Sequence, residues 1–400
     1  MTKQKRMTTP KLFLKSGKDK SVKRLHPWIF SGAIGKTEGN PAEGDVVDLY
    51  DHEKNYIAKG HYQPDSITIR ILTFENEEID STFWEKRIQI AVNHRISCGL
   101  YNSETTNVFR LIHGEGDFLP GLIVDFYNGI AVIQCHSAGM YRSRIEIANA
   151  LKTIMGNKLI AVYDKSAGTL PFKFTEIPEN GFLIGQANSE IEVLENGFKF
   201  LINFVEGQKT GFFIDQRENR QLLSQYSKNR DVANMFAYTG GFSVYALGAG
   251  ANSVHSIDSS AKATELASRN VVANNFTEKH EIITEDVLKY IDNIDQKYDL
   301  IILDPPAFAK HTRNLNNALQ AYKRLNARAI KAIRAGGIIF TFSCSQVVSR
   351  DDFRRSVFAA AASTGRQVKI LHQLTQPNDH PISIYHPEGE YLKGIVIKVE

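Results

Sequence analysis

Cysteine is scarce: three residues, Cys98, Cys135 and Cys344, in a chain of 400. They stand far apart without ligand spacing, which argues against a disulfide scaffold and against a zinc site. No apolar run reaches the length that spans a bilayer, so no membrane association is expected. The N-terminus carries no apolar signal core, and the chain is expected to be soluble and cytoplasmic. Neither charge dominates. With 48 Lys and Arg against 44 Asp and Glu, the formal net charge is +4, compatible with a nucleic-acid partner but weak support for one. Internal repeats and low-complexity tracts are absent. What is present is 42% hydrophobic residues, ample for conventional cores, in a length that suggests two or three domains.

Basic residues gather early, at Lys3, Lys5, Arg6, Lys11, Lys15, Lys18, Lys20, Lys23 and Arg24. Such a run is either a solvated face or a phosphate-binding patch. From residue 10 to 75, short strand signals such as "GDVVDLYD" and "SITIRIL" are broken by turn clusters such as "GNPAEGD", as in a small β-barrel. Residues 80–98 have helical spacing, with Phe83, Ile88, Ala91 and Val92 on one side. Strand signals follow around a "YNG" hairpin turn, and "SRIEIANALKTIM" reads as a helix closed by Gly156. Boundaries are expected at 1–75, 76–190 and 191–400. In the last part strands and helices alternate from "DVANMFA" to "IIFTFSC", the signature of a doubly wound parallel sheet.

Ligands of such sheets sit beyond the carboxyl ends of the strands. The first of these strands runs into "NMFAYTGGFSV", where Gly240 and Gly241 let backbone approach a ligand at a helix start. Phe236, Tyr238 and Thr239 share that turn. Neither GxGxxG nor a P-loop lysine occurs there, so no polyphosphate is indicated. The second strand ends at Asp258, suited to ribose hydroxyls, the third at Asp286, suited to an adenine amino group, and the fourth at Asp304. Alone, each glycine pair is equally a tight turn and each aspartate an N-cap. In this order they describe a site for adenosine without a phosphate tail, and S-adenosylmethionine fits.

This constellation resembles the class I S-adenosylmethionine-dependent methyltransferases. "EGQKTGFFIDQREN" (206–219), "FAYTGGFSVYA" (236–246), "LDPPAFAK" (303–310), "FSCS" (342–345) and "HPWIFSGAI" (26–34) together resemble a PUA-domain-containing rRNA large-subunit methyltransferase family that modifies cytosine C5 in 23S rRNA. The resemblance covers nearly the whole chain. It implies an N-terminal PUA β-barrel, a middle α/β domain and a C-terminal Rossmann-like methyltransferase domain. It also implies that "QKTGFFIDQR" covers the cofactor, making Lys209, Phe213, Asp215, Gln216 and Arg217 site residues. The plainer reading of that segment is a hairpin entering a helix capped by Asp215, with Phe212 or Phe213 in the core.

Asp304-Pro305-Pro306 is then a proline-stiffened loop holding an acid and a carbonyl beside the methyl group. Enzymes that methylate exocyclic amines place an aromatic directly after such prolines. Here Ala307 precedes Phe308, so the pattern does not match. Cys344 closes the next strand on the same rim, whereas Cys98 and Cys135 read as structural. Cytosine C5 is a poor nucleophile until a thiolate adds to C6, which is covalent catalysis. Cys344 and Asp304 are therefore the catalytic candidates, Asp304 holding the N3/N4 edge. Many RNA cytosine methyltransferases carry a second cysteine where this chain has Ala307.

The base must be unpaired or flipped. Pro306, Phe308, Lys209, Lys23, Arg24 and Trp28 are candidate contacts, although Trp28 is equally a core residue of a small barrel. The expected partner is 23S rRNA or a large-subunit precursor. A homodimer is compatible with the sequence and demanded by nothing in it. The rival readings are a guanine methyltransferase on rRNA and a non-catalytic assembly factor.

Overall fold

The computed structural model describes residues 9–171, 174 and 178–400; Lys3, Lys5 and Arg6 of the basic run lie outside them. These residues form two compact units.

The first unit takes residues up to Ser189, together with Asn203–Gly211 and Asn378–Gly389. It opens with β1 (Lys11–Leu14), α1 (Lys20–Lys23), β2 (Trp28–Phe30), β3 (Ile34–Glu38), β4 (Val46–Tyr50), β5 (Tyr56–Tyr62) and β6 (Ile67–Thr73). The six strands form one sheet in the order β2-β6-β5-β4-β1-β3. Alternation along them turns Leu12, Leu14, Val47, Leu49, Ile69 and Ile71 into a shared core. Helix α2 (Ser81–Ser97) starts on Asp80, whose carboxylate accepts from the Phe83 amide. It buries Phe83, Ile88, Ala91 and Val92, the face expected from their spacing.

A five-stranded sheet follows: β7 (Val108–His113), β8 (Leu122–Tyr127), β9 (Ile130–Cys135), β10 (Ala161–Asp164) and β11 (Gly181–Ile184), with α3 (Ala138–Arg142) and α4 (Arg144–Met155) between β9 and β10. The β8–β9 turn places Asn128 and Gly129 at φ 44° and 97°, as a tight hairpin needs. Gly156 closes α4.

The second unit contains β12 (Glu190–Glu195), most of β13 (Phe198–Asn203), α5 (Arg217–Ser227), β14 (Asp231–Met235), α6 (Gly241–Gly248), β15 (Ser253–Asp258), α7 (Ala261–Ala273), β16 (His280–Thr284), α8 (Val287–Ile291), β17 (Leu300–Leu303), α9 (Leu315–Ala332), β18 (Gly337–Ser343), α10 (Arg350–Thr364), β19 (Val368–Leu374) and β20 (Lys393–Val399). Its seven-stranded sheet has the order β16-β15-β14-β17-β18-β20-β19. β14 through β18 are parallel, and β18 is buried along its whole length, which is why it reads as a continuous apolar run. These are the five strands expected from "DVANMFA" to "IIFTFSC". Beyond them the chain finishes with two antiparallel strands, β20 beside β18 and β19 at the edge. β14 has β15 on one side and β17 on the other, so strand order reverses between β14 and β17. That reversal opens a crevice at the carboxyl ends of the strands.

Candidate active site

The turn after β14 is the most contorted backbone of the second unit. Phe236, Tyr238 and Gly240 have φ of 62°, 46° and 73°. Left-handed backbone costs a non-glycine residue about 1–2 kcal/mol, and such strain collects where a chain must approach a ligand. At Gly240 even a methyl group fails: its Cβ would lie 2.9 Å from Cβ of Ala267. The turn is pinned from two sides. Asn270 donates to the Thr239 carbonyl at 2.8 Å, and the Tyr238 amide donates to Oδ2 of Asp258 at 3.0 Å.

Asp258 therefore has structural work as well, since its Oδ1 accepts from the Ser260 amide at 2.9 Å. A carboxylate oxygen has two acceptor sites, so ribose hydroxyls can still be received. Asp286 is exposed and caps α8 by accepting from the Lys289 amide at 3.0 Å. The cap and the adenine contact were alternative readings; the cap is observed, and one carboxylate oxygen remains for a ligand.

Asp304 follows β17. Burial, then the negative charge of Asp215, pushes its carboxyl up to about 7, against the opposing pull of a Gln216 hydrogen bond and the Arg220 charge. The residue keeps partial solvent exposure. The segment before α5 supplies its neighbours. Gln216 donates from Nε2 to Oδ1 of Asp304 at 3.1 Å and accepts from Asn219 at 2.7 Å. Asp215 accepts the Tyr391 hydroxyl at 2.7 Å, while its other oxygen is buried without a partner among the described residues. Phe213 sets its ring edge-on to Tyr238, 5.2 Å between centroids. An orphaned buried carboxylate oxygen, a strained glycine turn and a row of acids suit the donor-rich, cationic S-adenosylmethionine.

This segment is not the hairpin of the plainer reading. A 3-10 turn, Ile214–Gln216, leads directly into α5. Phe212 is core, and Phe213 is half-buried at the site. Arg217 opens α5 almost fully buried. A second arginine, overlooked in the sequence, does more. Arg220 forks onto Glu195 at 2.8 and 2.7 Å and donates to the Phe213 carbonyl at 3.0 Å. No sequence signal marks this buried pair, because its partners are 25 residues apart.

Pro305 is buried and Pro306 exposed. Phe308, the candidate to stack on the base, is half-buried at the margin of the core and lies against Tyr322, with 4.7 Å between ring centroids. Ala307 sets that register: the aromatic falls one residue later and turns inward. Cys344 follows β18, its Sγ 3.9 Å from the Pro305 carbonyl oxygen. Burial first, then Asp304 and Asp215, pushes the thiol up to about 12, with Lys393 opposing. At rest it is a thiol.

Lys209, Lys23, Arg24 and Trp28 belong to the first unit. Lys209 is exposed at φ 54°. Lys23 is exposed and ion-paired with Asp19. Arg24 ends α1. Trp28 is half-buried: its indole donates to Glu115 at 2.8 Å and its ring meets His386 at 4.3 Å. Phe30, two residues on, is 50% exposed. Among the described residues, no helix is long and apolar enough to cross a membrane, and no cluster of metal-binding side chains occurs.

The strand reversal, the strained glycine turn and the acids at successive strand ends define an S-adenosylmethionine-dependent methyltransferase. A family model of that description matches residues 109–384, and one for a PUA-like domain matches residues 12–74. Ribosomal RNA large subunit methyltransferase I of Alteromonas mediterranea is 39% identical over 394 residues, 97% of this chain and 98% of that protein. Its namesake in Escherichia coli is 37% identical over 399 residues, 97% of this chain and 99% of the relative. The chain belongs to the ribosomal RNA large subunit methyltransferase I family. Two solved structures share its fold at 23% identity, each spanning 97% of this chain and all of their own: an S-adenosylmethionine-dependent methyltransferase from Streptococcus mutans (TM-score 0.82) and a methyltransferase complexed with S-adenosylhomocysteine (TM-score 0.83).

Proposed function

We propose that this enzyme methylates C5 of a cytosine in 23S rRNA, with Cys344 as nucleophile. The names of the relatives support ribosomal RNA of the large subunit as substrate. The observation that carries the cytosine reading is the thiol of Cys344 beside the Pro305 carbonyl, on the rim that also holds Asp304.

Asp304, Gly240, Gly241, Phe213, Asp215, Asp258 and Asp286 would hold S-adenosylmethionine, which supplies a methyl group on a sulfonium. The remaining chemistry is the chain's own. The Cys344 thiolate adds to C6 of the base, and the electrons of the C5–C6 double bond shift to make C5 nucleophilic. Asp304, whose value of about 7 keeps a proton available near neutrality, holds the N3/N4 edge, donating to N3 as charge builds there and accepting from the N4 amine. After transfer, solvent water takes the C5 proton, the C5–H electrons re-form the double bond, and the C6–S bond breaks to expel the thiolate. Ala307 provides no second thiol for that release. The first 75 residues, with Lys23 and Arg24, would bring the RNA to the enzyme, and residues 76–190 and 191–400 would form the middle and catalytic domains. No homodimer is needed.

A second reading draws on the raised thiol of Cys344, which also suits a structural cysteine. Asp304-Pro305-Pro306 would then serve an amine of guanine.

Unmodified 23S rRNA incubated with labelled S-adenosylmethionine and then digested to nucleosides separates the readings. Label in 5-methylcytosine, lost on Cys344→Ala, is expected. Label in a methylguanine that survives Cys344→Ala would sink the cytosine reading. Cofactor binding with no transfer to any large-subunit RNA would favour an assembly factor.

A further inference from the structure

Lys393 begins β20 and is 2% exposed, a burial unusual for lysine. Its Nζ donates to the Ser345 carbonyl at 2.8 Å. Its backbone pairs with Ser343 across the β18–β20 ladder. Residues 343 and 345 flank Cys344, so ammonium and thiol share one short stretch of chain. An ammonium has three donor hydrogens, and among the described residues Ser345 is the acceptor Lys393 meets.

The charged and titratable groups facing the pair come from several elements. Asp304, Asp215 and Tyr322 face the thiol; Glu390 and Arg350 face the lysine. Glu390 and Arg350 are bonded to one another at 3.1 Å, and Glu390 acts on the lysine more strongly than Arg350. Both aspartates oppose a thiolate. Lys393 is the cation acting in its favour.

We propose that Lys393 is the positioning residue that makes the Cys344 thiolate available. The inference rests on the reading of Cys344 as nucleophile. The thiol proton passes to solvent water: the S–H bond breaks, an O–H bond forms, and sulfur keeps the electron pair with which it attacks C6, while the Lys393 ammonium, held on the neighbouring Ser345 carbonyl, favours the anion. The ammonium stays charged throughout, and the expelled thiolate takes a proton back from solvent. Burial depresses the lysine to about 8, so it is still mostly ammonium at neutral pH and loses that charge as pH rises through this value. A neutral or base-bound Asp304 removes the largest charge opposing the thiolate.

The test is the pH profile of Cys344 alkylation by iodoacetamide, read peptide by peptide so that Cys98 and Cys135 do not interfere. Lys393→Met should slow Cys344 alkylation at mildly alkaline pH by about tenfold, the change that one unit of thiol titration makes. Lys393→Arg should restore part of it, which a merely structural role would not. An unchanged profile in Lys393→Met overturns the proposal. If that variant does not fold, the unsubstituted chain decides. With 13C-labelled lysine, the Lys393 resonance must show an inflection at the Cys344 midpoint; its absence overturns the pairing. The two readings fail separately. Loss of 5-methylcytosine on Cys344→Ala with a profile indifferent to Lys393 sinks only this pairing. A Lys393-dependent profile in an enzyme still active as Cys344→Ala keeps the pairing and sinks the nucleophile.

Discussion

The side-chain amide of Gln216 donates to Oδ1 of Asp304 at 3.1 Å, tying the segment that enters α5 to the acid that ends β17. The bond favours the ionised form of Asp304. Gln216→Leu keeps the volume and removes the donor. The Asp304 midpoint should then rise above about 7, moving the inflection in the pH profile of single-turnover methyl transfer upward.

Asp304 also predicts a slope in stability. Its folded value of about 7 exceeds the ordinary 3.8. Between those values the folded chain holds a proton that the unfolded chain has released. Stability from this group is therefore greatest at low pH, falls as pH rises through that window, and levels off above it. Asp304→Asn has no such slope. Between about pH 5 and pH 8, urea unfolding should show the unsubstituted chain losing ~1–2 kcal/mol more than the variant, a figure discounted for the solvent that reaches the carboxyl. Equal slopes would mean that the carboxyl is ionised throughout.

Gly240 cannot become alanine without cost. A Cβ there meets both a φ of 73° and Ala267 at 2.9 Å. Gly240→Ala should lose about 1–3 kcal/mol in denaturant unfolding. Calorimetry should show S-adenosylmethionine affinity falling as the turn shifts. Adding Ala267→Gly should recover the steric part of the loss and leave the backbone part.

Glu195 and Arg220 should separate stability from positioning. Glu195→Ala strands a buried guanidinium and should cost about 3–5 kcal/mol. Replacing the pair with leucine and methionine should return much of that stability. Cofactor affinity should stay low in the double variant, because the Phe213 carbonyl has lost its anchor. Full recovery of affinity would assign the pair to the core alone.

What the sequence alone determined was local and repetitive. Alternating strand and helix patterns marked the five parallel strands, and spacing near four marked the face of α2, because burial on one side of a helix imposes that spacing. Gly240 was legible because positive φ and close approach admit few other residues. Asp258, Asp286 and Asp304 were legible because a parallel sheet delivers successive strand ends to one edge. Tertiary structure decided the rest. β19 and β20 close the sheet antiparallel, a choice set by ladder pairing rather than by any pattern within either strand. Phe308 turned inward onto Tyr322, a contact between a loop and a helix. Glu195, Arg220, Tyr391 and Lys393 acquire meaning from partners distant in the chain. The protonation of Cys344 was the least legible of all. A thiol's charge is set by desolvation and by carboxylates that only folding brings near, and here both hold it protonated until something at the site changes.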